Sequence, residues 1–136
     1  MRAIKFTSVF LLTTILYAQN WTWISGDDGG NQTGVYGTKG TAATNNVPGG
    51  RKAGASWIDT NNDLWLFGGY GKTVGGEGFL NDLWKYDVSE NKWIWISGDD
   101  GGNQEGVHGT KGTAASNNVP GGRGGLAFWI DTNKDL

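Results

Sequence analysis

Apolar and polar residues alternate with a period of two along the middle of the chain. In Leu80–Val88, the sequence LNDLWKYDV places Trp84 and Tyr86 on one side and Lys85 and Asp87 on the other. This alternation predicts a β-strand whose two faces meet different surroundings. Three further apolar runs flank it and predict strands as well: Ala53–Asp59, Leu64–Phe67 and Lys92–Ile96.

The segments between these runs differ in length. Turn-forming clusters join the first pair of strands at Asp59–Asp63 and the last pair at Ser89–Asn91. Gly68–Gly69 is expected to end the second strand, and a glycine-rich loop is expected over Gly71–Phe79. Successive connections of an antiparallel meander alternate between its two ends. This loop and the long connection at Ser97–Gly122 are therefore expected at the same end.

The chain repeats itself with an offset of 72 residues. WTWISGDDGGNQ begins at Trp21 and WIWISGDDGGNQ begins at Trp93, and nine of the 44 overlapping positions differ. Three of the nine differences fall in the first-copy segment 25–51, and five fall in the next 13 residues. The long connection is therefore more constant than the strand after it, although surface loops usually vary faster.

A repeated unit of four antiparallel strands with glycine and aromatic landmarks is typical of a β-propeller blade. A single blade cannot cover both faces of its sheet, so it needs neighbouring blades. Leu136 matches Leu64, which begins a strand in the first copy. We therefore expect the chain to be a fragment of a longer propeller.

The sequence landmarks resemble those of a kelch repeat. The apolar run Leu64–Phe67 is followed by Gly68–Gly69, and Tyr86 and Trp93 stand seven residues apart. Further matching landmarks are LNDLW at Leu80–Trp84 and an arginine before the first strand, at Arg51 and Arg123. The resemblance implies an all-β, kelch-type β-propeller fragment with one complete four-stranded antiparallel blade and parts of two neighbouring blades. The repeat exceeds the roughly 45–50 residues of an ordinary kelch repeat, and the excess lies in the long connection.

The N-terminus predicts export. Arg2 and Lys5 precede the apolar stretch Phe6–Tyr17, and Ala18 is a small residue suited to cleavage, as in a signal peptide. An uncleaved anchor or a first strand is the alternative interpretation. The predicted layout is a signal peptide at 1–18 and a kelch-repeat region at 19–136, with the last strand of one blade at 21–25, a complete blade at 51–96, the start of the next blade at 123–136, and long inter-blade loops at 25–50 and 97–122.

Composition limits the classes of partner and site that the chain is expected to have. A net charge of −2 with scattered Lys and Arg gives no basic stripe for nucleic acid. The absence of Cys excludes disulfides and zinc–thiolate sites. No other apolar run approaches membrane length, so no membrane span is expected. We expect a secreted or extracytoplasmic protein that needs no cofactor and contacts further blades of the same chain.

The end of the blade with the long loops is the predicted binding face. Tyr36 and Tyr70 are candidates for stacking on a sugar or peptide, and Arg51 and Arg123 could bind a carboxylate. The alternative is that these residues hold the fold. In that case the connection is a cap that packs on the blade through Val35, Tyr36, Val47 and Pro48, and each arginine bridges the connection to a blade.

The leading functional hypothesis is a binding or adhesion module for a protein or glycan, and a purely structural scaffold is a further possibility. The alternative is part of a secreted kelch-type enzyme, a carbohydrate oxidase or sugar isomerase, with its catalytic residues in other blades. Catalysis has little support, because His108 is the only His and its repeat partner is Tyr36. No Ser-His-Asp set can be assembled.

No metal site is predicted either. Asp59–Asp63 has the spacing that begins a calcium loop, but Leu64 occupies the position that needs Gly, and a hairpin turn explains the cluster. Asp27–Asn31 and its copy Asp99–Asn103 could offer oxygen ligands without a defined ligand set. Asn20 and Asn31 lie in glycosylation sequons that matter if the source is eukaryotic.

Overall fold

A computed structural model of the chain describes residues 21–131. The signal peptide predicted at 1–18, the sequon at Asn20 and the C-terminal residues 132–136 lie outside the described residues, so the predictions for them stay predictions. Among residues 21–131, no helix is long and apolar enough to cross a membrane.

Within residues 21–131, six antiparallel strands form one sheet. They are β1 (Ala42–Ala43), β2 (Arg51–Lys52), β3 (Ala55–Ile58), β4 (Leu64–Thr73), β5 (Gly76–Asp87) and β6 (Lys92–Ser97). The strand order is β1-β6-β5-β4-β2, and β3 continues along β4 beyond β2. The interruption between β2 and β3 falls at Ala53, whose φ of 57° breaks the extended backbone. Counting β2 and β3 as one interrupted strand, β2–β6 form the predicted blade of four antiparallel strands, so the predicted fold class is confirmed.

The predicted glycine-rich loop is wrong. Instead of ending at Phe67, β4 continues to Thr73 and pairs with β5 to the tip, where Thr73 lies opposite Gly76. A two-residue turn at Val74–Gly75 joins the strands. β4 and β5 stay paired despite their glycines because backbone of neighbouring segments packs in the space that side chains would occupy. A Cβ at Gly71, for example, would lie 2.5 Å from the Gly50 carbonyl oxygen.

The glycine pair in β4 makes a β-bulge rather than a strand end. The pairing register with β5 shifts between Phe67 and Gly69, and both Gly68 (φ 61°) and Gly69 (φ 99°) have the left-handed backbone that glycine adopts readily. The bulge turns the Gly69 N–H toward the Arg123 carbonyl, to which it donates at 2.8 Å. It therefore ties the blade to the end of the following connection.

Each face of the sheet is covered by a different copy of the repeat. On one face, the ring of Tyr36 from the first connection packs 4.9 Å from Trp84 and 5.0 Å from Trp95. On the other face, Trp57 stacks on Trp65 and approaches Phe128, which follows the second connection. The blade core is thus built with segments that precede and follow the blade.

The segments at the two ends of the described chain are more open. Residues 21–24 and 126–131 belong to no strand, and Trp21 and Trp129 are 97% and 74% exposed. Their assignment to strands of neighbouring blades stays a prediction.

Candidate ligand-binding face

A buried carboxylate joins the first long connection to the blade. Asp82 on β5 is fully buried and accepts hydrogen bonds from four donors. Arg51 donates from both terminal nitrogens, at 2.6 and 2.8 Å. The Tyr36 hydroxyl donates at 2.8 Å and the Trp84 indole N–H at 2.7 Å. Because one carboxylate oxygen accepts from three donors and the other accepts from Arg51, the charge is tolerated in the interior.

Two of the three residues that bind Asp82, Arg51 and Tyr36, are fixed by further interactions. The Arg51 guanidinium also donates to the carbonyls of Gly49 and Gly68, which holds the end of the connection against the β4 bulge. Burial, followed by the nearby Asp82 carboxylate, raises the pKa of Tyr36 well above its usual range. The phenol is therefore locked in its neutral, donating form.

Tyr36 and Arg51, two of the predicted site residues, both lie in the interior. Tyr36 is 7% exposed and the Arg51 side chain is also 7% exposed. The connection around Tyr36 closes on itself through reciprocal hydrogen bonds between Val35 and Val47. This geometry favours the interpretation of the connection as a packed cap, and ligand contact by Tyr36 or Arg51 stays a prediction.

Arg123, the repeat partner of Arg51, has a different environment. Its backbone donates to the Leu80 carbonyl and accepts from Gly69, so its position in the chain is fixed. Among residues 21–131, its guanidinium donates to the Gly121 carbonyl alone, at 2.9 Å, and the residue is exposed. Since no described carboxylate pairs with it, Arg123 is the more available of the two predicted arginines.

The β4–β5 hairpin lies between the two long connections. On the β4 side, Lys72 N–H donates to the Gly50 carbonyl of the first connection at 3.1 Å. On the β5 side, Asn103 of the second connection donates its backbone N–H to the Phe79 carbonyl at 2.7 Å. The Asn103 side chain accepts from the Phe79 N–H at 3.0 Å. The hairpin and both connections thus form one continuous surface at this end of the blade.

A row of three side chains crosses this surface. Lys52, Tyr70 and Phe79 are register partners on β2, β4 and β5. The Tyr70 and Phe79 rings meet edge to face at 5.3 Å, and the Lys52 ammonium lies 5.5 Å from the Tyr70 ring centre. Phe79 is 45% exposed and Tyr70 is partly exposed. The sequence reasoning found Tyr70 but missed Phe79, because it placed Phe79 at the end of a loop; the alternation of β5, extended backwards past Leu80, would have placed it on the strand.

Two shallow depressions adjoin the row. One, of about 380 Å³, is lined by Asn31, Arg51, Lys72 and Glu77 beside Lys52 and Tyr70. The other lies between Tyr70, Phe79 and the glycines 124–125. The face therefore offers exposed aromatic edges, a lysine and a polar groove on rigid strands, and these groups can hold an apolar side chain or ring beside a carboxylate.

The opposite end of the blade is closed by short turns. Asp59 accepts from the backbone N–H groups of Asn61 and Asp63 and from the Trp65 indole, whose hydrogen bond is the main cause of a lowered Asp59 pKa. Asp63 accepts from Lys85 and from the Val88 N–H. These carboxylates hold the hairpin turn predicted for Asp59–Asp63. No cluster of three or more potential metal ligands occurs within the described part of the chain.

A comparison with known protein families supports the assignment of a kelch-type blade. The kelch motif matches residues 60–94, which run from the turn before β4 to the middle of β6. No curated protein and no solved structure matches the chain. The matched segment contains the double glycine at the bulge, Tyr86, Trp93 and the buried Asp82, whose contacts organise the sheet. The chain therefore contains a kelch motif within its blade.

Proposed function

We propose that the chain is part of an exported kelch propeller that binds a protein partner through the face formed by the β4–β5 hairpin and the two long connections. The observation that carries the proposal is the exposed row of Lys52, Tyr70 and Phe79. Two aromatic rings are held at an accessible surface although the blade buries Trp84 and Tyr86. Exposed aromatics on rigid elements are typical binding anchors.

A protein partner fits this face best. Kelch repeats generally mediate protein interactions. The row combines apolar edges with the Lys52 ammonium, and Lys72 extends the basic side of the adjoining groove. A partner segment with an aromatic or aliphatic anchor beside an acidic residue would contact both the ring edges and the lysines. A glycan is the second candidate, since exposed Tyr and Phe rings also suit stacking on sugars.

Site-specific photocrosslinking tests the proposal. A benzophenone amino acid is placed at Phe79 in the full-length protein of the source organism, and adducts are identified by mass spectrometry. The matched control carries the same group at Val88, which is 50% exposed at the opposite end of the blade. We expect one dominant protein adduct from position 79 and none of that species from position 88.

The glycan candidate is separated by affinity electrophoresis in gels that contain soluble polysaccharides. Retardation that Tyr70→Ala abolishes, without a protein adduct from position 79, would favour the glycan. Equal adducts from positions 79 and 88, with no retardation, would contradict binding at this face.

A further inference from the structure

The second connection holds the hairpin through a short acidic motif, Asp99–Asn103, here termed the second DDGGN segment. Besides the two hydrogen bonds between Asn103 and Phe79, the Asp99 N–H donates to the Asn81 side chain at 3.0 Å. The Asn81 amide donates back to the Asp99 carboxylate at 3.1 Å. Two reciprocal pairs, two residues apart on β5, therefore fix the segment along the strand edge.

The contact requires glycine on both sides. A Cβ at Gly78 would lie 2.8 Å from the Asn103 amide nitrogen and 3.0 Å from the Cα of Gly102. A Cβ at Gly98 would collide with the backbone of Asn81. The segment therefore recognises a strand edge that has glycine at the position of Gly78 and Asn at that of Asn81.

The first connection has the same motif at Asp27–Asn31, the first DDGGN segment. The eight residues from Ser25 are identical to the eight from Ser97. The backbones also agree: φ is 56° at Asn31 and 58° at Asn103, and each following Gln accepts from a Gly N–H at 2.8 Å. The binding conformation is thus already formed in the first segment.

Unlike the second segment, the first segment is held to no strand edge by a hydrogen bond within residues 21–131. All residues from Trp21 to Thr33 are exposed, whereas in the second copy Gly98 is buried and Gly101 and Gly102 are partly buried against the hairpin. Within residues 21–131, no hydrogen bond joins Asp27 or Asn31 to another side chain. The segment cannot reach the β5 edge of its own hairpin, because Gln32 is fixed to Gly50 beside β4.

We infer that the first DDGGN segment is an open binding site for the glycine-rich β5 edge of another kelch repeat. The partner is defined by chemistry: a hairpin with glycine at the position of Gly78 and an asparagine three residues later. This role accounts for the constancy of the connection, since each copy must fit a hairpin at its beginning and pack on a blade further along. Asp27 and Asn31 then join repeats.

The repeat itself provides the test. Asp99→Ala/Asn103→Ala releases the hairpin of each chain, and the first segment of a second copy can then occupy the vacated edge. Self-association is measured by sedimentation velocity for the full chain, for this double variant, and for a quadruple variant that adds Asp27→Ala/Asn31→Ala. We expect the double variant to associate at least tenfold more tightly than the unmodified chain and the quadruple variant to return to its level.

Two outcomes would overturn the inference. Either the double variant associates no more than the unmodified chain, or the quadruple variant associates as strongly as the double. If the double variant loses its near-ultraviolet circular dichroism, Asn103→Ala alone replaces it, compared with Asn103→Ala/Asn31→Ala. That single change removes the side-chain hydrogen bond to Phe79 and places alanine at φ 58°, where asparagine is favoured, and the same two outcomes decide.

Discussion

Replacing Arg51 by alanine should destabilise the blade far more than the same change at its repeat partner Arg123. Arg51→Ala removes both hydrogen bonds from the guanidinium to Asp82 and leaves a carboxylate that is fully buried. The Tyr36 and Trp84 donors remain. Removal of one partner from a buried ion pair costs about 3–5 kcal/mol, because the remaining charge stays desolvated.

Arg123→Ala is the matched control. It removes one hydrogen bond to a backbone carbonyl from an exposed residue, and no described carboxylate loses a partner. A change of this kind usually alters the free energy of unfolding by less than about 0.5 kcal/mol. The two substitutions are chemically identical and lie at equivalent positions of the repeat, so their difference reports the ion pair with Asp82 together with the hydrogen bond to the Gly68 carbonyl.

Urea denaturation followed by tryptophan fluorescence measures the difference, since Trp84 lies beside Asp82. With a dependence of about 1–3 kcal/mol per molar urea, Arg51→Ala should lower the midpoint by about 1 M or more. Arg123→Ala should leave it nearly unchanged. Equal midpoints for the two variants would show that the buried network does not hold the connection to the blade, and would refute the reasoning.

Three other predictions concern Gly78, Asp59 and the N-terminus. Gly78→Ala should lower the urea midpoint because its Cβ meets Asn103, whereas Gly75→Ala, which has open space around its Cβ, should leave the midpoint unchanged; equal effects would contradict the close packing. Asp59 has a lowered pKa, caused mainly by the Trp65 indole, so its contribution is present above its ordinary pKa of 3.8 and is lost as the pH falls through the lower folded value. Asp59→Asn should therefore reduce the acid dependence of the unfolding free energy below about pH 4, and an unchanged profile would count against this assignment. If the export proposal holds, N-terminal sequencing of the protein from the culture medium should begin at residue 19, and a retained residue 1 would contradict cleavage.

The sequence predicted best those features that depend on residues close together along the chain. The alternation around Trp84 and Tyr86 predicted β5, the apolar run from Leu64 predicted the start of β4, and the repeat of 72 residues predicted blade organisation. The turn at Asp59–Asp63 was predicted because Asp and Asn favour tight turns. Each of these features depends on neighbours a few residues away.

The errors arose where partners are distant along the chain. The glycines of the hairpin suggested a loop because the connections that pack against them, at Gly50 and Asn103, come from other parts of the sequence. Likewise, nothing near Tyr36 indicates that its hydroxyl meets Asp82, which is 46 residues away. Burial of a tyrosine that lies in a long polar connection is set by tertiary packing, so the sequence pattern left both interpretations of Tyr36 open, a ligand contact and a packed cap.

The most direct test of the proposed binding face is the affinity of the crosslinked partner for three alanine variants. Tyr70→Ala and Phe79→Ala should each weaken binding at least tenfold, which corresponds to about 1.4 kcal/mol, with little change in melting temperature. Val88→Ala, at the opposite end of the blade, should bind like the unmodified protein. Unchanged affinity for both aromatic variants, or a loss confined to Val88→Ala, would contradict the account.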